Sequence, residues 1–253
     1  MADNFIIPDW PAPAQVKSAI TLRSGGTSRA PFDSNNLALH VDDRAVDVQQ
    51  NRRNLIAALR LPASPLWLNQ CHGTELVYLP KTQQGATADG SYSDRVDTVC
   101  AILTADCLPV LFCNQSASQV AAVHAGWRGL CGGILRKMVA TFKHSPGQVM
   151  AYLGPAIGPQ VFEVGAEVMD AFVRNAQNES HRQAVSKAFK PVDGDPEKYL
   201  ADLYALARAE LTASGVIDIY GGNYCSYSDS ERFYSFRRDS KTGRNASLIW
   251  LQS

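Results

Sequence analysis

The sequence has no excess of charge of either sign, because 24 Lys and Arg balance 24 Asp and Glu. A balanced chain carries no general electrostatic footprint for nucleic acid or an anionic membrane. This does not exclude a local basic cleft. Nor does any apolar run approach the ~18 residues of a membrane helix. The start, MADNFIIPDW, lacks the basic and apolar regions of a secretory signal. The expectation is a cytoplasmic protein that binds neither nucleic acid nor membrane. Among six cysteines there is no CxxC pair. In a reducing compartment these cysteines are expected to be free, buried or metal-bound rather than disulfide-linked.

What is present is a chain able to bury a sizeable core: 253 residues, 45% hydrophobic. That apolar content excludes disorder. After a proline-containing arm, Lys17–Arg23 reads as a strand. Ser24–His40 is a long Gly/Ser/Asn-rich loop of the functional kind. Asp42 or Asp43 is expected to cap a helix running to about Leu61. Short apolar strands follow at Leu66–Gln70, Glu75–Leu79, Val96–Leu103, Leu108–Cys113 and Gln119–His124. Their near-continuous apolarity suits a sheet covered on both faces. Helices are predicted over Gly129–His144, Gly165–Gln177 and Glu197–Ser214. Further strands are predicted at Gln148–Leu153, Ile217–Tyr220, Arg232–Arg237 and Ala246–Leu251. No compositional break or repeat divides the chain. The reading is one α/β or α+β domain spanning 1–253, with its core at about 17–252.

Three segments carry chemistry: Asn69-Gln70-Cys71-His72-Gly73-Thr74, Leu103-Thr104-Ala105-Asp106-Cys107-Leu108-Pro109 and Val123-His124-Ala125-Gly126-Trp127-Arg128-Gly129. Each sets a His or Cys at an expected strand end, where a rigid sheet hands side chains to a cleft. His72, Cys107 and His124 would make a three-ligand zinc site with an open fourth position. The same set matches the equatorial ligands of blue copper. Cys107 could equally be a nucleophile with His72 or His124 as base, or an inert buried thiol. A structural zinc would need a fourth protein ligand, for which Cys131 is the candidate. Cys71 is expected to point away from His72. Asp106, beside Cys107, is a general-acid candidate or a structural residue. Arg128, at an expected helix start, suits phosphate, and Arg23 precedes a glycine-containing loop that suits an anion. Arg237-Arg238-Asp239 and Thr242-Gly243-Arg244 read as a solvated hairpin turn. Tyr224, Tyr227, Phe233, Tyr234 and Phe236 read as core. His144 and His181 fall in polar, helical stretches, where substitution is expected to change little.

Taken together, TLRSGGTS, NNLALHV, NQCHGTELVYL, ADG, LTADCLPVLF, AAVHAGWRGL, LGPAIGPQVFEVG and FYSFRRDSKTGRNASLIWL resemble the YfiH-type family, also called laccase-domain or polyphenol oxidase, from about Thr21 to Leu251. The resemblance implies a single layered α/β domain of mixed sheets flanked by helices, distantly similar to a cysteine-hydrolase-like toxin fold. It implies that His72, Cys107 and His124 form the metal-binding and catalytic set. The implied reactions are phosphorolysis of adenosine, inosine and methylthioadenosine, and deamination of adenosine. The implied metal is Zn2+, with Cu2+ as the alternative, in a monomer or homodimer. On this reading Arg23 and Arg128 hold phosphate and Asn36 binds ribose. The alternative is a copper-dependent polyphenol oxidase. A multicopper centre would need on the order of ten histidines, and the chain has five with no HxH pair. A cysteine hydrolase acting through Cys107 is supported by fold analogy alone.

Overall fold

In the computed structural model, which describes residues 4–252, the chain forms a mixed α/β fold of three sheets flanked by helices, with no barrel. Strands β1 (Phe5–Ile6) and β2 (Val16–Thr21) precede helix α1 (Ala45–Leu59). Then come β3 (Leu76–Tyr78), β4 (Gly90–Ser93), β5 (Val99–Thr104), β6 (Leu108–Asn114) and β7 (Val120–Ala125). Helices α2 (Trp127–Cys131) and α3 (Ile134–Val139) lead to β8 (Val149–Leu153) and β9 (Glu163–Gly165). The chain continues through α4 (Ala166–Arg174), α5 (Glu179–Lys187), β10 (Phe189–Val192), β11 (Asp195–Ala201) and α6 (Leu203–Ala213). It closes with β12 (Asp218–Gly221), α7 (Phe236–Asp239) and β13 (Asn245–Leu251).

The layers follow from period-2 alternation in strands buried on both faces. In β5, Val99, Ala101 and Leu103 join Leu55 of α1 and Trp67 in one core. The intervening Cys100 and Ile102 face the other way, against Leu111, Val120, Ala122 and Met150. In β6, β7 and β8 the opposite parity (Val110, Phe112, Val123, Ala151) meets α3, α4 and α6. The order is therefore α1, the sheet β1-β2-β13-β5, the sheet β12-β8-β6-β7-β4-β3, and the remaining long helices. The sheet β10-β11-β9 is antiparallel and sits beside the last layer.

Several boundaries differ from expectation. α1 begins at Ala45 after Arg44, with no side-chain cap. Asp43 instead accepts from Ser28 Oγ at 2.7 Å and Asn36 Nδ2 at 2.9 Å, tying down the long loop. The helix expected over Gly129–His144 is broken at Gly132–Gly133, where Gly133 has φ +81°. α6 starts at Leu203 because Asp202 caps it, accepting from the Tyr204 and Ala205 amides, so 197–201 is strand rather than helix. Residues 232–237 are not a strand but a turn entering α7, capped by Ser235. Leu66–Gln70 makes only isolated bridges, Leu66 to Cys100 and Asn69 to Thr87.

Candidate active site

The register of β6 on β7 pairs Leu108 with Ala125 and Pro109 with His124. Cys107, one residue before β6, therefore lies beside the end of β7. β4 flanks β7 on its other side, and Asp89 accepts the His124 amide through its carbonyl at 2.7 Å. His72 arrives on a turn, with φ +61°. That turn wraps the Asp89 carboxylate, which accepts from the amides of Cys71 (3.2 Å), His72 (2.9 Å) and Gly73 (2.7 Å). Gly129 of α2 lets the turn sit close, since a Cβ there would lie 2.6 Å from the Gly73 carbonyl.

One ligand atom each of His72, Cys107 and His124 lies within 4.8 Å of the other two. The imidazoles meet edge to face, centroids 4.8 Å apart. His124 is buried, and its Nδ1 is bonded to Asp89 Oδ1 at 2.7 Å, which leaves Nε2 for the centre. This carboxylate–histidine arrangement fixes tautomer and ring orientation in metal sites. Gly126 keeps the centre open, because a Cβ there would stand 3.0 Å from both Cys107 Sγ and His72 Cδ2. Two imidazoles and a thiolate are borderline-soft donors suited to zinc or copper. Among the described residues no fourth His, Cys, Asp or Glu joins them. Cys131 is elsewhere, its Sγ bonded to Asn175 Nδ2 at 3.2 Å. The site is thus of the open, three-ligand kind.

Burial pushes the Cys107 thiol up, but the His124 charge and hydrogen bonds from His124 and His72 more than offset it and bring it to about 6. Burial pushes His124 down, while the Cys107 charge and the Asp89 hydrogen bond raise it to about 9. Burial would raise Asp89, yet His124 and the surrounding donors hold its carboxyl well below the usual range.

The triad opens into a cavity of about 390 Å³. Asp106 lines it with φ +93°, and both its oxygens are used, Oδ1 by Ser226 Oγ at 2.6 Å and Oδ2 by the Arg237 amide at 2.7 Å. Gln70 also lines it and clasps the Leu103 backbone through both ends of its amide. The other expected residues do not line this cavity. Arg128 is exposed and stacks on Trp127 at 4.3 Å. Arg23 donates to Asp33 O and Ser230 O and lies over Tyr234. Asn36 is fully buried in the loop, bonded to Ala38 and Asp43.

Sequence reasoning missed Asp89, whose signal was the ADG segment, and misjudged the turn 237–244. Arg237, Arg244 and Phe236 line the cavity instead of standing in solvent or core, and Phe236 is 56% exposed. His40 joins them, held below its ordinary pKa by burial and by the charges of Arg244 and Arg52. Cys71 does not join the three ligands; its Sγ lies 3.2 Å from Asp89 Oδ2.

Residues 17–252 match the family described as "Multi-copper polyphenol oxidoreductase laccase". The chain belongs to this family. The "Purine nucleoside phosphorylase YfiH" of Shigella flexneri is 48% identical over 249 residues, covering 98% of this chain and 99% of that one. The crystal structure of Neisseria meningitidis protein NMB0706 superposes with a TM-score of 0.92 at 46% identity, covering 99% of this chain and all of that one. That of YlmD from Geobacillus stearothermophilus gives 0.90 at 31% identity, over 100% and 98% of the two chains. Despite the family's description, this chain brings only two of its five histidines to the group that could hold a metal ion. Among the described residues, no helix is long and apolar enough to cross a membrane.

Proposed function

We propose that this chain is a metal-dependent purine nucleoside phosphorylase that cleaves adenosine, inosine and methylthioadenosine and also deaminates adenosine. The observation that carries this reading is the open His72–Cys107–His124 centre facing a cavity with guanidinium groups on its wall. The nucleoside-phosphorylase names of full-length relatives support it. In phosphorolysis a phosphate oxygen bonds to C1′ of the ribose, the C1′–N bond breaks, and the departing purine nitrogen takes a proton. In deamination, water replaces the amine as ammonia.

Zn2+, bound by His72, Cys107 and His124, would supply Lewis-acid polarisation at the cavity floor. Cys107 and His124 must release their protons to bind it, so its affinity rises with pH. Asp89 orients His124 and anchors the turn carrying His72. Asp106 fixes the Arg237 amide and Ser226, which makes it a wall-positioning residue. Phe236 offers an exposed aromatic face at the mouth, of the kind a purine can stack on.

The test is product analysis after metal-loaded protein is incubated with each nucleoside, with and without phosphate. Phosphate-dependent release of free base and (methylthio)ribose 1-phosphate is expected, together with inosine from adenosine. No base release at any phosphate concentration would overturn the reading. A copper polyphenol oxidase is the second reading, favoured by the His₂Cys donor set. It would be upheld by phenol turnover that scales with bound copper.

A further inference from the structure

The cavity wall carries two arginines without acidic partners. Among the described residues neither Arg237 nor Arg244 forms an ion pair, although their neighbour Arg238 pairs with Asp239. The cavity's single lining acid, Asp106, has both oxygens engaged with Ser226 and the Arg237 amide. Arg237 directs both terminal nitrogens at the Glu163 carbonyl, at 3.1 and 3.2 Å. Arg244 uses only Nη1, which donates to the Thr242 and Gly243 carbonyls at 2.9 Å each. Three of its five N–H donors, on Nε and Nη2, have no partner among the described residues. Arg244 is only half-buried and lines the cavity, so these donors are left for solvent or for a ligand in that cavity.

The guanidinium is also pre-positioned. The Arg244 amide donates to Asn36 Oδ1 at 3.0 Å, and Asn36 is itself held by Ala38 and Asp43. Gly243 permits the close approach, since a Cβ there would lie 2.7 Å from Tyr234 Cζ and 2.9 Å from Asn36 Cβ. Asn245, the next residue, pairs with Thr104 of β5, three residues before Cys107. The Arg244 guanidinium in turn feels the charges of Cys107 and Asp106, which partly offset its burial.

We propose that Arg244 is the residue that binds inorganic phosphate in the triad's cavity, presenting its free Nε–Nη2 edge to two phosphate oxygens. This rests on the phosphorolysis reading above, and it gives Asn36 the task of holding Arg244 rather than touching ribose. The Nε–Nη2 edge provides the bidentate geometry that guanidinium groups use on phosphate. Arg237 adds a second positive charge on the same wall.

The test is titration of inorganic phosphate alone into metal-loaded wild type, Arg244→Gln, Arg244→Lys and Arg128→Ala, by calorimetry or 31P line broadening. Metal content and steady-state constants are measured on the same preparations. Arg244→Gln is expected to raise the phosphate Kd and phosphate KM by about 10- to 150-fold, far more than the nucleoside KM. Arg244→Lys should recover part of the loss, and Arg128→Ala should bind phosphate as wild type does. Wild-type phosphate affinity in Arg244→Gln with metal intact would overturn the proposal. If Arg244→Gln does not fold, unchanged affinity in Arg244→Lys would overturn it instead. Phosphate binding that follows Arg244 in a protein that splits no nucleoside would uphold the anion site and overturn the phosphorylase reading. Phosphorolysis whose phosphate KM ignores Arg244 would do the reverse.

Discussion

Asp89 serves both sides of the triad, and its effect is separable from the ligands'. Asp89→Asn keeps the shape and one acceptor but loses the carboxylate on His124. Metal affinity is expected to fall by about 10- to 100-fold while the fold persists, as read by competition with a chromophoric chelator. Cys107→Ala should abolish metal binding and turnover with the circular dichroism spectrum unchanged. In metal-free protein the thiol at about 6 and the imidazole at about 9 coexist as a thiolate–imidazolium pair between those values. Alkylation of Cys107 should therefore rise with pH through a midpoint near 6, and zinc should protect it. Stability of the metal-free form should follow the same groups. The lowered Cys107 pKa contributes fully above the thiol's ordinary 9.0, and that contribution fades as pH falls through about 6. The raised His124 pKa contributes fully below its ordinary 6.5, and that contribution is lost as pH rises through about 9. The two slopes oppose each other and nearly cancel between about 6.5 and 9, so the melting temperature should be almost flat there, and a stability slope of about 1.4 kcal/mol per pH unit across that window would contradict the pairing. His181 is tied into the fold away from the triad. It is buried, accepts from the Gln177 amide at 3.1 Å and lies 3.4 Å from Glu210. His181→Ala should cost about 1–3 kcal/mol in urea unfolding by leaving the Gln177 amide unmatched and Glu210 with Gln177 Nε2 as its remaining partner, with metal content unaltered.

At the scale of elements, the strand ends were legible and the turns were not. β5 to β8 declare themselves because unbroken Val, Ile, Leu, Ala and Cys runs have no other place in a polar solvent. His72, Cys107 and His124 stood out because each interrupts or terminates such a run. Asp89 did not, since an acid between Ala88 and Gly90 looks like an ordinary turn until three amides are seen converging on it. Arg244 looked solvated because its partner loop, held by Asn36, lies 208 residues away in sequence. β9, β10 and β11 were invisible for a different reason. Residues such as Glu197 and Lys198 are exposed, so the three-stranded sheet has no continuous apolar face to announce it. α6 fastens the loop before Ile157, which lines the cavity, through Tyr204, whose hydroxyl accepts from the Ala156 amide at 2.8 Å and donates toward the Tyr224 carbonyl at 2.7 Å. Tyr204→Phe should leave a buried amide unmatched and lower stability by about 1–3 kcal/mol, measured by denaturant titration. It should also speed amide exchange in 154–157.

For the whole molecule, the metal inventory is the plainest check. The family's description invokes several coppers, whereas the described residues hold one three-membered donor group. Elemental analysis should give about one metal per chain, and about four coppers would contradict the donor count. The layered architecture also imposes an order of events. β13 lies between β2 and β5, with Leu248 opposite Ala19 and Ala101. The sheet that covers the core therefore has a missing middle until the segment 245–251 has been made. During synthesis on the ribosome, β2 and β5 must wait unpaired while more than a hundred residues follow β5. Such long-range closure is slow and leaves strand edges open to wrong partners. The same segment brings Arg244 to the cavity wall, so the anion-binding side of the pocket is completed only when the sheet is. A nascent chain stalled before β13 would hold the His72–Cys107–His124 segments without the arginine that faces them.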